Sequence, residues 1–103
     1  EDDMESMVEY GLSVVNNEPE EALRMYHEAM NLYEGNDRKY PLPVEIIDLS
    51  IAIVLNIAKV DIQQAINLLD IIEVEEFRLE TIDKLLLMTD DKESKSVLED
   101  MKK

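Results

Sequence analysis

The chain has no cysteine and no tryptophan, and only two glycines and three prolines. Without cysteine there is no disulfide framework, no thiolate metal site and no cysteine nucleophile. So little glycine and proline leaves scant turn material for a many-stranded sheet. Gly11 and Gly35 stand too far apart to build a phosphate-cradling loop. Long apolar stretches are missing too. The longest uninterrupted run, Ile51-Ala52-Ile53-Val54-Leu55, is far short of the ~20 residues a spanning helix needs. Residues 1–103 hold no basic-then-apolar pattern of the kind a signal peptide is expected to show. Positive charge is scarce: 10 Lys and Arg stand against 25 Asp and Glu, and Arg38-Lys39 and Lys102-Lys103 are the largest basic clusters. A nucleic-acid binder replaces counterions with Lys and Arg, so direct contact with DNA, RNA or an anionic membrane is not expected.

What remains is a 103-residue chain, 46% hydrophobic and 34% charged, with a net charge of −15. That length fits one domain, residues 1–103, burying roughly two-thirds of the surface exposed by its unfolded chain. Because the chain opens with Glu1 rather than Met, it is expected to be a piece of a longer protein. The absence of cysteine is compatible with a reducing compartment, and the expected location is intracellular and cytoplasmic. Net negative charge is concentrated in residues 1–34, where Arg24 is the sole Lys or Arg. Charge therefore selects basic surfaces as partners.

Periodicity predicts helices almost throughout. Met4, Met7, Val8, Gly11, Leu12 and Val15 share one face of a first helix, with Asp2 and Glu5 at capping-box spacing. Asn16-Asn17 ends it, and Asn17 caps a second helix with Pro19 in its first turn. Ala22, Met25, Tyr26, Ala29, Leu32 and Tyr33 form the second helix's apolar stripe, and Gly35-Asn36-Asp37 breaks it. A third helix, about 43–59, is nearly all aliphatic outside a narrow arc holding Glu45, Asp48, Ala52, Asn56 and Lys59. Such a helix is surrounded on most sides and belongs at the centre of the core. Asp61 and Gln64 open a fourth helix running through Ile72, with Ile62, Ala65, Ile66, Leu69 and Ile72 inward. A fifth covers about 75–89, with Thr81 as an alternative restart. Asp90 and Glu93 cap a sixth carrying Val97, Leu98 and Met101, and Lys102 and Lys103 sit at its negative end. Short links then imply an all-α fold of about six helices in three antiparallel hairpins, arranged as a short repeat array or a compact bundle.

The stretch 20–29, with Ala22, Tyr26 and Ala29 at small–aromatic–small spacing, resembles the second helix of a tetratricopeptide repeat. Residues 61–69, with Ala65 and Leu69, resemble it again. Ala22 and Ala65 stand farther apart than that family's period of about 34 residues, and Glu34 occupies the place of its proline. The resemblance implies a protein-interaction scaffold that cradles a peptide or a partner helix.

Few residues offer candidate chemistry. His27 shares its face with Glu20, Glu28 and Asn31, but Arg24 occupies the place a Glu-x-x-His metal pair requires, so a solvated histidine is expected. Acid pairs recur without any one standing out. Glu45 and Asp48 come nearest to an apolar setting, and their polar stripe places them in solvent or in a groove. A calcium loop from Asp90 fails at Lys92, Lys95 and Met101. The serines lack a His-Asp context and a glycine elbow. The expectation is a protein with no enzyme activity, cofactor or metal that acts as an adaptor or assembly module for a basic protein partner. Apolar anchors drawn from Leu23, Met30, Tyr33 and Tyr40 make the contact, with an acid rim of Glu20, Glu21, Glu28 and Glu34. Met30 and Leu23, seven apart and off the main stripe, form a second apolar strip. Two alternatives are an acidic mimic of nucleic acid that inhibits a DNA-binding protein, and a self-associating structural segment.

Overall fold

The computed structural model describes residues 3–35 and 43–103. Among them are six α-helices, one short 3-10 helix and no strand: α1 (Asp3–Val14), α2 (Pro19–Gly35), α3 (Val44–Ala58), α4 (Ile62–Asn67), the 3-10 turn Leu69–Ile71, α5 (Glu75–Met88) and α6 (Lys92–Met101). The all-α expectation is met. The chain divides into two compact units, residues 1–53 and 54–103.

In the first unit, α1 ends where the amides of Asn17 and Glu18 both reach back to the Val14 carbonyl, at 3.0 and 2.7 Å. The tight link folds α2 back on α1, and these two helices pack as a hairpin. Pro19 is the first residue of α2, one position nearer the helix start than a cap at Asn17 would put it. Asp2, the other proposed cap, lies outside the described residues. Val8 and Val15 of α1 are buried, as are Ala22, Met25, Tyr26 and Ala29 of α2. Two expected positions of α2 exchange places: Met30, assigned off the stripe, is 6% exposed, and Leu32, assigned to it, is 39% exposed. On a 3.6-residue helix the two sit on opposite shoulders of the Ala22–Ala29 stripe, and the core lies on the Met30 shoulder. Leu12 likewise turns outward, at 38% exposed.

The first half of α3 completes this unit. A Cβ placed on Gly11 would meet the Leu49 methyls at 3.0 and 3.1 Å and Met25 Cβ at 3.5 Å. Glycine is what permits α1 to come this close to α3. Along α3, Ile46, Ile47, Leu49, Ile53, Val54 and Ile57 are buried and share one half of the helix, whereas Ile51 and Leu55 are half-buried and Val44 is 63% exposed, so the helix is less enclosed than its aliphatic composition predicts. Its polar arc is narrower than the sequence implied: Asn56 is buried and accepts a hydrogen bond from Lys59 Nζ at 3.3 Å. Ser50, also buried, satisfies its hydroxyl on the Ile47 carbonyl at 2.7 Å.

In the second unit, Asp61 caps α4 by accepting from the Gln64 amide at 3.2 Å, as its spacing predicts. The helix stops at Asn67 instead of Ile72. The Leu68 amide is shared between the carbonyls of Gln64 and Ala65, and the Ile71 and Ile72 amides bond three residues back, to the Leu68 and Leu69 carbonyls, which tightens the chain into a 3-10 turn. In that geometry positions three apart eclipse, so Leu69 and Ile72 both point into the core. The Ile72 carbonyl then accepts from Arg78 Nη1 at 2.8 Å. Helix α5 is continuous through Thr81, whose buried hydroxyl bonds the Phe77 carbonyl at 2.9 Å.

The cap of α6 is Asp91, not Asp90. Thr89 Oγ1 accepts from the Asp91 amide at 3.1 Å, and Asp91 Oδ2 accepts from both the amide and the hydroxyl of Ser94, at 3.0 and 2.8 Å. Ser94 and Leu98 point inward, both 0% exposed, while Val97 and Met101 lie on the outside. Gln63 Nε2 donates to Ser94 Oγ at 2.9 Å and so ties α4 to α6 through a buried hydroxyl whose capacity is used twice. Lys102 Nζ reaches Asp83 at 2.7 Å, joining the end of α6 to α5.

Candidate functional site

Two surfaces of the first unit carry the residues singled out above. One is the outer face of α2. Arg24 there works as a clamp on its own helix: Nε and Nη2 donate to the two Glu21 oxygens at 3.1 and 2.7 Å, and Nη1 donates to Glu28 Oε2 at 2.8 Å. The guanidinium holds the Glu21 carboxyl below its ordinary range, with a smaller contribution from the Tyr10 hydroxyl, and Glu21 in turn raises Arg24. Two carboxylates of the proposed acid rim are therefore partnered within α2, while Glu20 and Glu34 are exposed. Leu23 and Tyr33 are half-buried. Met30 belongs to the core and offers almost no surface, so the second apolar strip reduces to Leu23. Tyr40 lies outside the described residues. His27 is exposed, with its ring edge-on to Tyr26 at 5.6 Å.

The second surface is a groove of about 330 Å³ between α1 and the start of α3. Met4, Val8 and Leu12 line it from α1, and Pro43 and Ile46 line it from the opposite wall. Glu5 and Glu9 edge it on the α1 side and Glu45 on the α3 side. Spacing explains the arrangement. Residues four apart on a helix stack nearly in line, so Met4, Val8 and Leu12 make one apolar row with Glu5 and Glu9 as a parallel acid row. Glu45 stands in the first turn of α3, where the helix dipole favours a carboxylate. All three carboxylates are exposed, and none of the described residues lining the groove is basic.

Sequence reasoning left Glu45 with a groove position as one of two readings, and that is where it stands. It missed Glu5 and Glu9 as site residues. The signal available for them was the repetition of glutamate beside the Met4–Val8–Leu12 row. Among the described residues, no group of three or more histidines and carboxylates is placed to hold a metal ion. Nor is any described helix long and apolar enough to cross a membrane. Comparison with protein-family models, curated proteins and solved structures gives no match for this chain.

Proposed function

We propose that this chain is a non-catalytic protein-interaction module that receives a basic protein partner. The groove of the first unit carries this reading: the apolar surface of Met4, Leu12 and Pro43 lies between carboxylates on both walls, and no described residue of the lining is a cation. Apolar contact supplies the holding energy, and the surrounding acid in a chain of net charge −15 speeds encounter and selects the sign of the partner. The hairpin of α1 and α2, with Ala22, Tyr26 and Ala29 all buried, supports the proposal that the scaffold is of the tetratricopeptide kind. Immobilised protein, exposed to a native extract and washed at low and then high salt, should retain proteins with basic surfaces at low salt and release them at high salt. Each retained protein, purified and titrated, should bind more weakly to a Glu5→Gln, Glu9→Gln, Glu45→Gln variant. Retention that ignores both salt and these substitutions overturns the reading.

A further inference from the structure

We propose that the α1–α3 groove takes an amphipathic helix whose apolar stripe is flanked on both sides by Lys or Arg. The inference rests on the functional reading above and deepens it by fixing the shape and pattern of the occupant.

The row Met4, Val8, Leu12 advances by one helical turn per step and covers about 12 Å along α1, at 1.5 Å per residue. A site of that length, formed by one helix alongside the start of another, is matched by two to three turns of a third helix laid into it, read out as anchors one turn apart. An extended strand gains its affinity from main-chain hydrogen bonds to a sheet edge, and no described residue is in a strand. Val8 and Ile46, 3% and 1% exposed, close the floor of the groove, so the surface open to an occupant is that of Met4, Leu12 and Pro43. The charge pattern follows from the two walls. Glu5 and Glu9 stand one turn apart on one side, and Glu45 stands on the other. The occupant therefore carries a pair of cations one turn apart along one edge of its apolar stripe and a further cation along the opposite edge.

The test uses the full chain and three fluorescent 16-residue peptides in anisotropy titrations at low and physiological salt. The first places Leu at helical spacing with Lys on both flanks. The second has the same composition shuffled so that no face forms, and the third is the first peptide with a central proline. The inference expects the first peptide to bind about tenfold or more tightly than either control. Leu12→Asp should weaken it about tenfold, and Glu5→Lys with Glu9→Lys should weaken it several-fold and flatten its salt dependence. Leu12, Glu5 and Glu9 are all exposed, and helical content by circular dichroism confirms that the variants fold. Equal binding of all three peptides that is lost with salt overturns the helical occupant and leaves the basic-partner reading standing. Tight binding of the first peptide unaffected by Leu12→Asp overturns the groove as its seat. If no peptide binds even at low salt, the helical occupant and the reading beneath it fall together.

Discussion

At the scale of single residues, Gly11 and Asp91 show two ways in which one position sets local geometry. Glycine in mid-helix costs about 1 kcal/mol relative to alanine, so its presence in α1 needs a reason. The Leu49 methyls, 3.0 and 3.1 Å from where a Cβ would stand, supply it. Gly11→Val should lower stability by about 1–3 kcal/mol despite the gain in backbone propensity, measured by urea denaturation. Asp91 acts through charge. The Ser94 hydroxyl, then the Ser94 amide, hold its carboxyl below the usual 3.8. A carboxyl whose folded pKa is depressed contributes stability in full above its unfolded pKa and loses it as pH falls through the lower folded value. The melting temperature of the wild type should therefore drop more steeply below about pH 4 than that of Asp91→Asn, since asparagine caps a helix about as well without titrating. Parallel curves from pH 5 to 2 would separate Asp91 from acid denaturation.

At the scale of elements, the helices were legible in the sequence because apolar spacing and cap residues agree along most of the chain. Asp61 caps α4 as its spacing to Gln64 requires, and α5 spans nearly the predicted residues. The departures share a physical cause. A local pattern gives the angular spread of apolar residues but not which shoulder of the stripe meets a neighbour. Met30 and Leu32 lie on opposite shoulders of α2, and only tertiary packing decides between them. The same holds at the start of α6, where consecutive aspartates offer two caps and the fit of Ser94 and Leu98 into the core selects Asp91. The groove was half legible: Glu45 stood out by its place on an aliphatic helix, whereas Glu5 and Glu9 gained meaning only once α1 and α3 were side by side. The packing of α2 is directly measurable. Met30→Ala should cost about 2–4 kcal/mol and Leu32→Ala less than about 1 kcal/mol, both by chemical denaturation. A reversed order would place the core on the other shoulder.

At the scale of the whole molecule, a net charge of −15 on 103 residues is a standing repulsion. The ion pairs of Arg24, Lys102 and Lys103 lie at the surface, where salt screens them as well, and each contributes little beside the unbalanced acid. The melting temperature should therefore rise as sodium chloride goes from about 10 mM to about 500 mM, followed by circular dichroism. A fall would mean that paired charges outweigh repelling ones. The burial of methionine has its own consequence. Met25 and Met30 are sealed in the first unit, whereas Met88 and Met101 of the second are exposed. With no thiol to compete, dilute peroxide converts the two outer thioethers to sulfoxides first, and it reaches the inner pair only when the hairpin opens. The mass of each methionine-bearing peptide over time becomes a clock for that opening, written into the protein without any added label.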